Sequence, residues 1–177
     1  MKIAFIIGSL RKESFNRKVA EQVKAIAPAS WEIEEVKLDD LPLYNQDFDE
    51  QTIDSYERVR KQIKQADAVI FFTPEYNRSL PACAKNVIDI ATRPSGNNLW
   101  AGKKVAISTA SMGGWAGSLS AVDLQKILFM LGSQVSTTMA NFANVGQIFD
   151  EKGEMNDQKS KQFLQKFVND FDAMLAK

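Results

Sequence analysis

The fold is decided near the N-terminus, where residues 2 to 16 read KIAFIIGSLRKESFN. The first part, KIAFII (2–7), is nearly continuous in apolar side chains, as expected of a parallel strand covered on both faces. The stretch that follows this segment has apolar residues at helical spacing, with Val19, Val23 and Ile26 on one face. A strand, a polar turn and a helix in direct succession form the unit from which doubly wound α/β folds are built.

The same alternation of strand and helix patterns continues along the chain. Further strands are predicted at WEIEEVKL (31–38), AVIFFT (68–73) and KVAIST (104–109), with a weaker one at QVSTTMANF (134–142). Helical spacing recurs between and after these runs, around residues 54–63, 84–91, 124–131 and 163–175. Ser14 and Asp54 are predicted as helix N-caps, and Gly132 as a left-handed stop. Strand and helix alternating five times predict a parallel sheet between two layers of helices.

Length and strand count favour one order of strands. For 177 residues with five predicted strands, the flavodoxin-like order 2-1-3-4-5 is favoured over a six-stranded dinucleotide-binding fold. The prediction is therefore an α/β, flavodoxin-like three-layer sandwich whose single domain spans residues 1–177. In this order a ligand binds at the carboxyl ends of strands one and three, where the winding reverses. The loops at 8–16 and 74–81 follow those strands.

Composition excludes several classes of chemistry. Lysine and arginine number 22, as do aspartate and glutamate, so the formal net charge is zero and gives no overall field to attract nucleic acid or anionic lipid. There is no histidine for a base or a zinc site, and the single cysteine, Cys83, is interpreted as a small packed residue. No run reaches the ~18 apolar residues of a membrane helix, and no signal segment is recognised. We therefore expect a cytoplasmic protein without metal, membrane or nucleic-acid partners.

The loop at residues 8–16 has the side chains of an anion site. Gly8 allows a tight exit from the strand, and Ser14 stands where the N-terminus of the next helix attracts negative charge. Arg11 can give a two-pronged contact to a phosphate, and Asn16 adds a neutral donor. The loop matches neither GxxxxGK[ST] nor GxGxxG. Taken alone, it could also be a polar loop with a capping serine and a solvated arginine.

Two further loops at the same predicted edge have features of a ligand site. In PEYNRSLP (74–81), prolines bracket a short stiff segment, and its Tyr76 ring and backbone groups suit a flat heteroaromatic ligand. Taken alone, this segment could also be a turn with a surface tyrosine. In STASMGGWAGS (108–118), the glycines permit close approach of the backbone and Ser111 can donate. Trp115 is expected to pack within this loop rather than to cover a ligand.

Together the three loops resemble those of the bacterial NAD(P)H-dependent FMN reductases, in the branch known as quinone or chromate reductases. The resemblance rests on GSLRKESFN, on TPEYNRSLPACAKNVID and on SMGG with its following helix, which occur in the family's order over most of the chain. It implies noncovalently bound FMN, NADPH or NADH as electron donor, and a homodimer or homotetramer. The family's FMN contacts, carried over by position, fall on Ser9, Leu10, Arg11, Lys12, Glu13, Ser14, Phe15, Asn16, Pro74, Glu75, Tyr76, Asn77, Ser111, Gly113 and Gly114.

The function implied by the resemblance is ping-pong hydride transfer from NAD(P)H through FMN to quinones or similar acceptors, such as chromate, azo compounds or free flavin. Hydride transfer is the cofactor's own chemistry, so no catalytic acid or base is expected from the protein. The chain departs from the family at Ala82 and Ala84, which replace Gly and Leu. It departs again at Leu119, Ala121 and Asp123, so the resemblance does not decide the number of subunits or the residues that border the substrate. One alternative is a flavodoxin-type electron-transfer module without its own NAD(P)H oxidation, although such carriers are usually strongly acidic. The other is a structural or regulatory protein with an empty site.

Overall fold

A parallel sheet lies between two layers of helices in the structure, a computed structural model that describes residues 1–177. The strands are β1 (Lys2–Ile7), β2 (Glu32–Val36), β3 (Ala68–Thr73), β4 (Lys104–Ala110), β5 (Gln134–Val135) and β6 (Ala140–Phe142). The helices are α1 (Phe15–Ile26), α2 (Asp54–Gln65), α3 (Ala82–Ile90), α4 (Ser118–Met130) and α5 (Gln158–Leu175). The strand order is β2-β1-β3-β4-β5, with β6 also paired to β4, which confirms the predicted flavodoxin-like order.

The predicted fifth strand is divided in two, which corrects the assignment of one strand over 134–142. β5 pairs with the start of β4 and β6 with its end. Between them, the hydroxyl of Ser136 accepts from the N–H of Thr138 and donates to the carbonyl of the same residue, both at 3.3 Å. A serine side chain that binds the nearby backbone competes with the ladder of the sheet. The β-branched and apolar composition of this stretch therefore overstated its continuity as a strand.

Two apolar clusters, one on each face of the sheet, form the core. On one face, α1 and α5 cover side chains such as Phe5 and Phe72, whose ring centroids are 4.9 Å apart. On the other face, α2, α3 and α4 cover Phe71 and the fully buried Trp100. β3 is buried along its whole length, because both of its faces are covered. β2 is an edge strand, and only its last residue, Val36, is buried.

The helix boundaries confirm two of the predicted caps and correct a third. Ser14 is the N-cap of α1, and its Oγ accepts from the N–H of Arg17 at 3.3 Å. Gly132 follows α4 with a φ of 84°, the left-handed conformation that glycine adopts without strain. Asp54, predicted as the cap of α2, is instead its first helical residue, and the N-cap Ile53 offers no side-chain hydrogen bond. An aspartate stabilises a helix both as its N-cap and, through the helix dipole, within the first turn. The sequence pattern therefore did not distinguish the cap from the first helical position.

None of the helices has both the length and the apolar character that crossing a membrane requires. No three of the Cys, Asp and Glu side chains come together in a group that could hold a metal ion.

Candidate functional site

The three loops predicted to carry the site meet at the carboxyl edge of the sheet. They follow β1, β3 and β4, which are neighbours in the sheet, so the parallel strand ends bring them together. A cavity of about 170 Å³, here called the central cleft, lies between them. Its walls come from all three loops and consist of Ser9, Arg11, Ser14, Phe15, Asn16, Pro74, Glu75, Tyr76, Ala110, Ser111 and Met112.

The other predicted residues lie beside the central cleft. Leu10 and Lys12 line a second cleft towards β2, and Glu13 lines a surface groove along α1. Asn77 is at the tip of a turn. A Cβ added at Gly114 would have no neighbour within 4 Å, and one added at Gly113 would have only Ser111 Oγ, at 3.7 Å. Sequence reasoning missed two wall residues, Ala110 and Met112. Neither has a polar group that signals a site, and only their position at the end of β4 could have indicated them.

The backbone of residues 9–16, here called the anion loop, presents donors without acceptors. The N–H of Gly8 donates to the Phe72 carbonyl at 2.8 Å, and that of Arg17 donates to Ser14 Oγ at 3.3 Å. Between them, no N–H group of residues 9 to 16 has an acceptor within the protein. The loop ends at the N-terminus of α1, where the positive partial charge of the helix is concentrated. A run of such donors fits an anion with several oxygen atoms, such as a phosphate group.

Arg11 is the arginine of the anion loop that remains available for a ligand. Its guanidinium forms no salt bridge within the protein and lies 5.5 Å from the centroid of the Phe15 ring. Arg17, by contrast, donates to both carboxylate oxygens of Glu35, at 2.8 and 2.7 Å. These hydrogen bonds hold the pKa of Glu35 below its usual range. The charge of Arg17 is therefore balanced within the protein, and that of Arg11 is not.

Asn16 has a structural role that its sequence position did not reveal. Its side chain is buried, Oδ1 accepts from the N–H of Ala110 at 2.9 Å, and Nδ2 donates to the carbonyl of Ala110 at 3.1 Å. The amide thus fastens the start of α1 to the end of β4. Part of the hydrogen-bonding capacity that the sequence predicted for a ligand is therefore used within the protein. One side-chain N–H and the backbone N–H remain for a ligand.

Gly8 is needed for close packing rather than for a left-handed turn. Its φ lies outside the positive region. A Cβ at this position would be 2.7 Å from Thr73 Oγ1 and 3.1 Å from the Cβ of Ala84. Any side chain would therefore push the anion loop away from the end of β3. The sequence analysis explained Gly8 by the freedom of its backbone, and the structure explains it by the lack of space for a side chain.

The loop after β3 is closed by a two-residue turn. The backbones of Tyr76 and Ser79 exchange two hydrogen bonds, at 3.0 and 3.1 Å, while Asn77 and Arg78 at the tip have φ values of 50° and 68°. Two consecutive residues at positive φ are typical of the tightest hairpin connections. The turn leaves the side chain of Tyr76 half-exposed in the wall of the central cleft. An aromatic face is thus available to a flat ligand.

Glu75 anchors this loop to α4. Its side chain is 10% exposed, and one carboxylate oxygen accepts from the N–H of Leu119 at 3.0 Å. The N-cap of α4 is Gly117, which has no capping side chain, so Glu75 serves as the cap from a different loop. Ser79 adds a hydrogen bond to Asp123 at 2.8 Å. Glu75 lies in the cleft wall as predicted, but its observed contact is to the protein.

The loop after β4 carries Trp115 on its surface. The indole is 68% exposed, which corrects the expectation that it packs within its own loop. Most of the neighbouring residues are glycine, alanine or serine, which offer little apolar surface on which an indole could be buried. Its nearest cation is the guanidinium of Arg78, 5.9 Å from the ring centroid, so the loops after β3 and β4 approach each other here. Beneath them, Ser111 Oγ accepts from the N–H of Gly113 at 3.1 Å.

Cys83, in the first turn of α3, is partly buried and packs against the apolar cluster, as its interpretation as a packed residue requires. Burial raises the pKa of its thiol. The thiolate is the reactive form of cysteine, so this environment disfavours reactivity.

The central cleft fits a ligand that has a phosphate group at one end and a flat ring system at the other. The anion loop and Arg11 provide the donors for the phosphate group, and the loops after β3 and β4 contribute Tyr76 and Ser111 to the lining. FMN combines a phosphate, a polar chain and a planar heteroaromatic ring. The residues that surround the cleft therefore suit FMN in their chemistry, with donors for its phosphate and an aromatic side chain for its ring.

Comparison with known proteins points in the same direction. The family model for NADPH-dependent FMN reductase matches residues 1–147. A quinone reductase from Pseudomonas putida is 42% identical over 96% of this chain and 91% of that protein. A 2-hydroxy-1,4-benzoquinone reductase from a Burkholderia species is 32% identical over 98% of this chain and 95% of that protein. Among solved structures, FerB, a flavoenzyme NAD(P)H:(acceptor) oxidoreductase from Paracoccus denitrificans, has a TM-score of 0.92 at 35% identity, covering 99% of this chain and 97% of that one.

Proposed function

Because the chain belongs to the family of NADPH-dependent FMN reductases, which use FMN and take electrons from NAD(P)H, we propose that it passes these electrons to a quinone or a similar small acceptor. The observation that carries the proposal is the set of unpaired N–H groups beside Arg11 in the same cleft as Tyr76. Quinones are favoured as acceptors because two relatives are named as reductases of quinones. The electron-carrier alternative is not favoured, since the relatives are enzymes.

The chain's own residues are proposed to bind and orient the cofactor. The anion loop and Arg11 would hold the phosphate group, and the loops that carry Pro74 to Asn77 and Ser111 to Gly114 would border the ring. When bound, FMN supplies the hydride chemistry. We assign no residue as general acid or base. The open wall formed by Tyr76, Met112 and Trp115 leaves room for a second small molecule, because all three side chains are at least half-exposed.

A kinetic test follows from the shared cleft. Donor and acceptor would occupy the same space in turn, so initial rates against NADPH at several benzoquinone concentrations should give parallel double-reciprocal lines. Intersecting lines would mean that both substrates bind together. If the protein binds FMN but oxidises no NAD(P)H with any quinone, the result would favour an electron carrier over an enzyme.

Glu75→Ala should impair turnover more than it weakens the phosphate contact. The substitution removes a hydrogen bond to a charged group, worth about 1.5–3 kcal/mol, and frees the loop that carries Tyr76 from α4. We expect kcat to fall about tenfold, while the dissociation constant of FMN rises less. Glu75→Gln, which keeps an oxygen acceptor, is the matched control and should retain most of the activity. Equal losses in the two variants would point to a role for the charge itself.

We propose that the protein is a homo-oligomer, a dimer or tetramer, assembled through α4. The side chains of Val122, Phe129 and Met130 are 56%, 72% and 77% exposed. Their spacing places them on one face of the helix, together with the exposed Lys126. Exposed apolar side chains grouped in this way are typical of an interaction site. Glu75 contacts the first turn of α4, while Phe129 and Met130 lie in its last turn, so the proposed interface is centred away from the central cleft.

The oligomer is tested by placing a charge on this face. Phe129→Glu should convert the protein to a monomer of 19.8 kDa in light scattering at micromolar concentration, because burying an unpaired carboxylate opposes association. Gln162→Glu, which adds the same charge at an exposed position of α5, should leave the parent's assembly unchanged. A parent protein that is itself monomeric under these conditions would contradict the proposal.

Residues 1–177 are proposed to act as a single FMN-binding domain in the cytoplasm. Support for the compartment comes from the NADPH pool found there and from the lone thiol of Cys83, which suits a reducing environment. Cell fractionation that locates the NADPH-oxidising activity elsewhere would overturn this assignment.

A further inference from the structure

An arginine occupies the tip of the turn after β3, in a backbone conformation that does not favour it. Arg78 has a φ of 68°, and Asn77 before it has a φ of 50°. Hairpin turns with two residues at positive φ commonly have glycine in the second place. Asparagine also tolerates this conformation, whereas a long side chain is strained there. The needs of the turn therefore do not explain why residue 78 is an arginine.

The guanidinium of Arg78 lies at the open side of the central cleft. Its Cζ is 5.9 Å from the centroid of the Trp115 ring, and Trp115 belongs to the open wall that leaves room for a second small molecule. Tyr76, which lines the cleft, is two residues away in the same turn. The turn and the indole thus place a cation beside the space proposed for the acceptor.

This cation is only weakly balanced within the protein. The side chain of Arg78 is 67% exposed, and its salt-bridge partner Glu75 is 3.7 Å away, too far for a hydrogen bond. Glu75 already accepts from the N–H of Leu119 at 3.0 Å. Asp123, the other acid that contacts this turn, is paired with Lys126 at 2.8 Å. The donors of the Arg78 guanidinium therefore remain available to an anion.

The balance of charge in the cleft depends on the cofactor. A phosphate group on the anion loop would pair with Arg11, so that Arg11 no longer attracts a second anion. Arg78 stands on a different loop and would keep its charge available. Its position beside an indole combines aromatic surface with positive charge. Such a pair fits a flat ring that carries a negatively charged substituent.

We propose that Arg78 determines acceptor specificity, so that the protein favours quinones with a negative charge on the ring over neutral quinones of similar size. Sulfonated quinones and ionised hydroxyquinones belong to this class. The assignment rests on the proposed function, in which a small acceptor enters the central cleft. Arg78 would contact the charged substituent, and Trp115 the flat face of the ring. Arg78 itself takes no part in electron transfer.

The test compares two acceptors of the FMN-loaded protein, 1,4-naphthoquinone-2-sulfonate and the uncharged 2-methyl-1,4-naphthoquinone. Arg78→Asn removes the charge and suits the positive φ. It should lower the ratio of kcat/KM for the sulfonate to kcat/KM for the neutral quinone about fivefold, the range expected for an exposed ion pair. Arg78→Lys keeps a charge at the tip and should retain most of the parent's ratio. Because the same two quinones are used throughout, their different reactivities cancel between variants.

Lys64→Gln is the matched control for the loss of a positive charge elsewhere. Lys64 is exposed in the last turn of α2, which leads into the start of β3, at the end of the sheet opposite to the central cleft. Its removal should leave the ratio unchanged. Added salt should lower the ratio in the parent more than in Arg78→Asn, because salt screens an exposed ion pair.

Two results would overturn the assignment. An unchanged ratio in Arg78→Asn would mean that Arg78 does not recognise the charge of the acceptor. An equal loss for both quinones would also contradict it. Combined with a Tm more than about 4 °C below the parent's, such a loss would assign Arg78 to holding the two loops together, and combined with an altered mass in light scattering, to a subunit contact.

Binding without turnover separates this assignment from the proposed function. By calorimetry, the oxidised FMN-loaded parent should bind 1,4-naphthoquinone-2-sulfonate more tightly than the neutral quinone, and Arg78→Asn should lose this preference. A parent that reduces neither quinone would refute the proposed function, while the selective binding would still support the role of Arg78. Equal binding of the two quinones by the parent would refute that role.

Discussion

Riboflavin should bind the protein about a thousandfold more weakly than FMN. A phosphate dianion in the central cleft meets the unpaired N–H groups of residues 9–16 and the unpaired charge of Arg11. Each hydrogen bond to a charged group contributes about 1.5–3 kcal/mol, so two of them account for a factor of about a thousand. Titration of the FMN-free protein, followed by quenching of flavin fluorescence, measures both affinities. Equal affinities would refute the assignment of the anion loop.

Arg11→Ala measures how much the side chain of Arg11 contributes to FMN affinity, apart from the backbone N–H groups. It should weaken FMN about tenfold to a hundredfold, because one charge-assisted contact is lost and the N–H groups remain. Riboflavin serves as the internal control, since its affinity should hardly change in the same variant. A parallel loss for both flavins would mean that Arg11 maintains the shape of the loop instead of contacting the phosphate.

Asn16→Ala should destabilise the FMN-free protein by about 2–4 kcal/mol. The variant leaves the N–H and the carbonyl of Ala110 without partners at a buried site, and each unsatisfied group costs about 1–3 kcal/mol. Urea unfolding measures the change. Asn169→Ala is the control, because that side chain is exposed on α5 and bonds only to Gln165, so its effect should stay within about 0.5 kcal/mol. A loss below about 1 kcal/mol for Asn16→Ala would show that the two hydrogen bonds contribute little.

The central part of the sheet was predictable because burial on both faces leaves a simple signature. β1 and β3 are almost entirely apolar, β4 is buried at every residue after its first, and all three were located within a residue of their observed ends. The edges are less regular. β2 is shorter than predicted, and the stretch that follows α4 pairs with β4 in two places, because Ser136 binds the backbone between them. Such competition depends on local geometry and not on composition.

The loops of the site were located from sequence, but the roles of individual side chains were not. The partner of Asn16 lies 94 residues away, and that of Glu75 lies 44 residues away. A local pattern of polar residues indicates that hydrogen bonds are made, without indicating whether the protein or a ligand makes them. The unpaired backbone donors of the anion loop have no sequence signal at all, since every residue except proline carries an N–H.

The edge position of β2 has a consequence for the behaviour of the protein at high concentration. An unpaired strand edge is a template on which a second chain can add a strand, and charged side chains along it oppose this. β2 has β1 as its only neighbour and carries the carboxylates of Glu32 and Glu34, while that of Glu35 is paired with Arg17. Two molecules that approach edge to edge therefore repel each other, which protects against fibre formation during synthesis and storage. Replacing Glu32 and Glu34 with valines would remove that protection while leaving the central cleft and the pair of Arg17 with Glu35 in place.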